Sequence, residues 1–188
     1  VKAIDELMNE HRLIERVLDA VEAQAAELER GHPVRAGFFL EAAEFLSGFA
    51  DGCHHHKEEG VLFPAMIESG MPREGGPIGV MLQEHEQGRA FIRAIRQGAT
   101  RLGGGEAGSA RPLVAATRGY VALLRDHIVK EDEVLFPMAG QVLSPARMVQ
   151  VAADFERVER EETGEGAHQR FHAQADRLIA EAKAAAPA

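Results

Sequence analysis

Two stretches of the chain repeat each other, and both carry groups that bind metals. His54 to Pro64 reads HHHKEEGVLFP and His127 to Pro137 reads HIVKEDEVLFP. The identical columns are His54/His127, Lys57/Lys130, Glu58/Glu131, Val61/Val134, Leu62/Leu135, Phe63/Phe136 and Pro64/Pro137. Chance would supply about one match, since even common residues each make up under a tenth of average composition. Upstream, Asn9-Glu10-His11 sits over Gln83-Glu84-His85 at nearly the same offset. One pair of helices therefore resembles a second pair, as in a duplicated helical hairpin.

The repeat carries His-x-x-x-Glu twice. Helical residues four apart differ by about 6 Å of rise and only ~40° of rotation, so His54 with Glu58, and His127 with Glu131, face the same way. The apolar stripes turn them inward. His11 continues Leu7, Ile14 and Leu18; His85 continues Met81, Leu82 and Ile92. His54 and Glu58 follow Leu46 and Ala50, while His127 and Glu131 follow Tyr120 and Leu124. An unpaired ionised carboxylate is rarely tolerated in a core. Two buried glutamates among four buried histidines need a shared counter-charge, and a pair of divalent or trivalent metal ions supplies it. Each ion would take two imidazoles and the carboxylates would bridge, as in other carboxylate-rich bundle sites. Mixed imidazole and carboxylate donors suit iron, ahead of manganese or zinc. The expected cofactor is two iron ions, oxo- or hydroxo-bridged, with open positions for peroxide, dioxygen or nitric oxide. The competing reading is a metal-free structural bundle in which the inward His and Glu pair only with each other.

The elements that position these residues are helices. Apolar residues at Ile4, Leu7, Met8, Ile14, Leu18, Val21 and Leu28 trace a 3.6-residue stripe over Lys2 to Arg30. Gly31-His32-Pro33 ends it. A second helix is expected from Arg35 to Glu59, with Pro64 bending or breaking the chain beyond. Gly70 to Gly79 is a loop, a third helix spans Pro77 to Leu102, and a fourth runs from Ala110 to Ala139. Short links between four long helices predict an all-α, antiparallel up-down-up-down bundle over residues 1–140. Residues 141–188 form a C-terminal helical extension packed on it. There Ser144-Pro145 caps one short helix, and a last helix runs from Gly166 to Ala184 with a frayed tail.

The 188-residue length suits one well-packed core. A formal net charge of −9 argues against nucleic acid or an anionic membrane as partner. No apolar run approaches the ~20 residues of a membrane span, and the start reads as an amphipathic helix, not a signal peptide. The single cysteine, Cys53, excludes an intramolecular disulfide framework. A reducing cytoplasm is the expected setting.

These motifs resemble the hemerythrin-like (HHE cation-binding) family. They are a His on helix one, His-x-x-x-Glu with a following Leu-Phe-Pro on helix two, and the same again on helices three and four. The resemblance covers about Val1 to Gly140. It implies a non-haem di-iron centre with His11, His54, Glu58, His85, His127 and Glu131 as ligands. Oxygen-carrying members place two histidines one turn apart on the third helix, whereas His85 is followed by Arg89. That departure points away from oxygen transport. It leaves a peroxidase- or catalase-like enzyme, or a module that binds or senses oxygen, nitric oxide or iron without turnover.

Remaining candidates are peripheral. Tyr120, two turns before His127, is either a core residue or a hydrogen-bond partner beside the metals. His168 and His172 lie on a solvated or capping helix, or reach the mouth of the bundle; Glu165 with His168 matches a Glu-x-x-His pattern. A register of His55 with Glu59 is disfavoured, because the second copy holds Ile128 and Asp132 there. His55, His56, Lys57 and Glu59 are expected on the flanks or the solvent face. Glu156, Glu159, Glu161 and Glu162 read as a solvated acidic run.

Overall fold

The computed structural model describes residues 2–164 and 166–185. All regular structure among them is helical. Helix α1 is Lys2–Glu29 and ends where Gly31 turns the chain with φ of 82°. There the His32 N–H donates to the Glu27 carbonyl (3.0 Å), closing the last turn. Helix α2 (Ala36–Phe45) continues through widened, π-helical stretches at Leu46–His55 and Glu58–Leu62 into α3 (Phe63–Glu68). After the glycine-rich link comes α4 (Pro77–Gly103). Helix α5 (Ala110–Lys130) passes through a π-helical turn at Glu131–Leu135 into α6 (Phe136–Val142).

Two apolar clusters define the directions of the rods. One gathers Val17, Val21, Phe38, Phe45, Phe49, Ile95 and Leu113; the other gathers Ala3, Leu7, Leu62, Phe63, Ile78 and Phe136. Helix α1 runs from the second cluster to the first, and α2–α3 returns. Helix α4 goes out again and α5–α6 comes back. The result is an antiparallel up-down-up-down bundle with a polar layer between its two cores.

The second rod does not stop near Glu59, nor does Pro64 break it; it reaches Glu68. The widened turns explain this. Phe63 N–H donates five residues back to the Glu58 carbonyl, and Phe136 N–H to the Glu131 carbonyl. Proline has no N–H and presses on the carbonyl one α-turn back. A π-turn just before it relieves both problems.

The C-terminal segment adds to both cores. Helix α7 (Pro145–Val158) starts at Ser144, whose hydroxyl accepts from Arg147 N–H (3.2 Å). It contributes Met148, Val151, Phe155 and Val158 to the second cluster. Helix α8 (Ala167–Ala185) contributes Ala175, Leu178, Ile179 and Ala182 to the first. No helix among the described residues is long and apolar enough to cross a membrane.

One glycine seats α8. A Cβ on Gly48 would lie 2.4 Å from Phe171 Cζ, and that ring packs against Phe45 and Phe49 with centroids 6.3 and 5.9 Å away. Gly140, inside α6, has open space around the same position. Gly48→Ala is therefore expected to destabilise by about 1–3 kcal/mol through overpacking. Gly140→Ala is expected to stabilise by roughly 0.5–1 kcal/mol. Denaturant melts of the two variants should move in opposite directions.

Candidate metal centre

The polar layer holds His11, His54, Glu58, His85, His127 and Glu131, each no more than 1% exposed. Glu131 lies between two imidazoles, with Oε2 3.2 Å from His11 Nε2 and Oε1 3.2 Å from His127 Nε2. Glu58 does the same, with Oε1 3.6 Å from His54 Nε2 and Oε2 3.5 Å from His85 Nε2. Each carboxylate thus gives one oxygen to the His11/His54 pair and one to the His85/His127 pair. Both oxygens of Glu58 and of Glu131, and Nε2 of His11 and His54, make no hydrogen bond among the described residues. Buried polar atoms without partners are costly. Six of them gathered in one buried layer fit a cation site, because a cation is what such lone pairs lack.

The opposite ring nitrogens are all engaged. His54 Nδ1–H donates to Glu10 (2.9 Å) and His127 Nδ1–H to Glu84 (2.9 Å). His11 Nδ1–H donates to Asp132 (2.7 Å) and His85 Nδ1–H to Glu59 (2.7 Å). A carboxylate can only accept, so it fixes the proton on Nδ1 and leaves Nε2 with its lone pair inward. Each carboxylate is in turn braced by a cation: Lys57 on Glu10 (2.6 Å), Arg89 on Glu59 (2.6 Å), Lys130 on Glu84 and Arg12 on Asp132. Glu10 and Glu84 work within their own hairpins; Glu59 and Asp132 reach across to the other. The same two-fold relation seats the repeated phenylalanines. Phe63 stacks on His85 (6.0 Å, 16°) and Phe136 on His11 (5.5 Å, 12°).

These tethers were absent from the sequence reading, although their signal was present. Glu10/Glu84 and Glu59/Asp132 occupy matched columns, each one residue from an inward ligand candidate. One step along a helix turns about 100°, which aims these residues at the neighbouring helix's imidazole.

Two residues expected on the flanks are buried instead. His55 is 4% exposed, and its ring lies 3.8 Å from that of His85 at 12°. Lys57 is 0% exposed, with Nζ bound to Glu6 (2.8 Å), Glu10 (2.6 Å) and Glu159 (2.8 Å). The repeat, with Ile128 in the matching column, points His55 outward. Leu46–His55 is π-helical, and a wider turn rotates less per residue, so His55 follows His54 inward. Ligand atoms of His11, His54, Glu58 and Glu131 lie within 4.8 Å of one another, as do those of His55, Glu58, His85 and His127.

The outer candidates stay outside these groups. His168 Nε2 lies 3.5 Å from Glu10 Oε1, and its ring neighbours His172 at 4.7 Å. It meets the carboxylate behind His54, and the Lys57 ammonium already provides the charge between Glu10 and Glu159. Glu165 lies outside the described residues, as does the end of the tail. Tyr120 is a core residue beside Gly88, and its hydroxyl makes no hydrogen bond among the described residues. Cys53 is buried. Of the acidic run, Glu159 is not merely solvated; it closes the Lys57 cluster.

The protein groups alone cannot all ionise. Burial, with Glu131 beside it, pushes the Glu58 carboxyl well above the usual carboxylate range. Glu131 is as deeply buried, but His127 and His11 hold it well below that range. Burial opposes charge on His11, yet Asp132 and Glu131 raise it to about 9. His127 is also raised against burial, by Glu131 and Glu84. Burial and the neighbouring His11 lower His54 to about 4.

Residues 2–139 match the hemerythrin HHE cation-binding domain model. The chain belongs to that family. This hemerythrin-like chain is 24% identical over 169 residues to an uncharacterized Mycobacterium tuberculosis protein, covering 90% of the chain and 66% of that protein. It is 31% identical over 121 residues to the iron-sulfur cluster repair protein YtfE of Cronobacter sakazakii, and 33% over 122 residues to that of an Enterobacter strain. Those matches cover 62% of the chain and 54% of each YtfE protein. The chain thus spans about half to two thirds of these relatives. No solved structure matches.

The tethers make two outcomes measurable. Glu84→Gln keeps the shape but weakens the hold on His127, and should lower metal affinity about 10–100-fold in a chelator competition while the helical circular dichroism stays unchanged. Metal must also displace protons from Glu58, His11 and His127. Uptake should therefore acidify a weakly buffered solution, and affinity should fall as pH is lowered, as titrations at several pH values would show.

Proposed function

We propose that this chain binds two iron ions, one between His11 and His54, the other between His85 and His127, with Glu58 and Glu131 bridging. The observation that carries this is the gathering in a buried layer of the four Glu58 and Glu131 oxygens with Nε2 of His11 and His54, all without hydrogen bonds among the described residues, beside Nε2 of His85 and His127 only 3.1 Å apart, each imidazole fixed from behind by a carboxylate. Imidazole with carboxylate is the donor mixture of non-haem iron. Two such ions supply a two-electron redox couple and Lewis acidity.

The protein's own share is positioning and exclusion. The Nδ1 tethers lock the rings, and Phe63 and Phe136 cover His85 and His11 on the side of the second apolar cluster. A centre so fully buried admits small molecules. Peroxide decomposition is the reading we favour: two hydrogen peroxide molecules give one dioxygen and two water molecules, with no external donor required.

A second reading follows from the buried carboxylates and from the YtfE relatives, whose name assigns them iron-sulfur cluster repair. Metal binding relieves the charge conflict between Glu58 and Glu131, so iron uptake couples to stability. Such a chain would act as a module that binds or senses iron, oxygen or nitric oxide without turnover.

Elemental analysis of protein reconstituted with ferrous iron is expected to give two irons per chain, with near-ultraviolet charge-transfer absorption after exposure to air. A folded protein that takes up no iron would end the proposal. Oxygen evolution from peroxide should be present in the wild type and lost in Glu131→Ala. Equal evolution from both would remove the enzymatic reading. Reversible spectral change with nitric oxide and no peroxide turnover would select the second.

A further inference from the structure

We infer that His55 is a fifth imidazole donor of the centre, which makes its two metal positions unlike. The inference rests on the two-iron reading above.

Three observations converge on His55. It is buried, and one of its ring nitrogens lies within 4.8 Å of donor atoms of Glu58, His85 and His127. Opposite donors on one ion stand roughly 4 Å apart at ordinary metal–nitrogen distances, so small side-chain shifts close the group. The second observation is the carboxylate behind it. His55 Nδ1 faces Asp51 Oδ1 at 3.4 Å, the same nitrogen that the other four imidazoles turn to a carboxylate. One guanidinium braces both carboxylates on this side, with Arg89 Nε donating to Asp51 (2.8 Å) and Nη2 to Glu59 (2.6 Å). His55 and His85 thus share the imidazole–carboxylate–cation arrangement seen around the rest of the centre.

The third observation is a break in symmetry. The columns matching Asp51 and His55 in the second hairpin hold Leu124 and Ile128, both buried. An apolar side chain fills that place well, so packing alone gives no reason for a buried imidazole with a carboxylate behind it. The His85/His127 position then has three imidazoles and two carboxylate oxygens. The His11/His54 position has two and two.

The test loads metal-free protein with ⁵⁷Fe(II) under anaerobic conditions and reads iron content and the Mössbauer spectrum. The wild type should hold two irons and show two quadrupole doublets of equal area. His55→Phe keeps a ring against His85 but removes the nitrogen. It should shift one doublet, or lose about half the iron, and leave the other doublet in place. His55→Ala should behave likewise, and millimolar imidazole should restore the wild-type spectrum, which keeps the test open if the phenylalanine variant misfolds. Two irons with both doublets unmoved in the variants would overturn the inference alone, as would a single doublet in the wild type. A wild type that takes up no iron would overturn the two-iron reading with it.

Discussion

Two carboxylates at the centre of a helical bundle set the terms for everything around them. Glu58 and Glu131 are fully buried between two apolar clusters, where no water can screen them. Each raises the cost of charging the other. The structure answers with layers of alternating sign: carboxylates in the middle, imidazoles around them, a second ring of carboxylates, then lysines and arginines at the rim. A bundle core ordinarily gains stability by excluding such groups. Here the apolar material is pushed to the two ends, and the middle is given over to electrostatics.

The duplicated hairpin makes that layering economical. One hairpin supplies two imidazoles, a central carboxylate and two tethering carboxylates; its copy supplies the matching set. Two tethers close within a hairpin and two close between hairpins, so the site cannot assemble until both halves dock. The exception to the symmetry is the face carrying His55, Asp51 and Arg89, where the first hairpin has polar groups and the second has Leu124 and Ile128. The centre is a symmetric frame with one side altered.

Much of this was legible in the sequence, for a specific physical reason. His11, His85 and His127 lie on α-helical stripes, and the duplicated His-x-x-x-Glu sets the register of His54, Glu58 and Glu131 even where the turns widen. The reading failed where the backbone departs from that period. The repeat points His55 outward because its column holds Ile128 in the second copy, whereas the widened turn carries it inward. Lys57, expected on the flanks or the solvent face, is buried because its three carboxylate partners come from α1 and from the turn after α7, which local pattern does not bring together. The tethers Glu10, Glu59, Glu84 and Asp132 required knowing which helix sits beside which.

The widened turns after Glu58 and Glu131 also govern how the chain can change in length. Each accommodates a residue more than an α-turn over the same rise, and a proline seals it from below. Removing one residue between Glu58 and Pro64 would close the turn to α geometry and leave the rod beyond facing much as before, but it would press the proline ring on an α-helical carbonyl. An insertion between His127 and Glu131 would pull an imidazole and a carboxylate off the point they both must face. Residues added in the glycine-rich links, such as Gly103 to Gly108, would leave the facing of the rods unchanged.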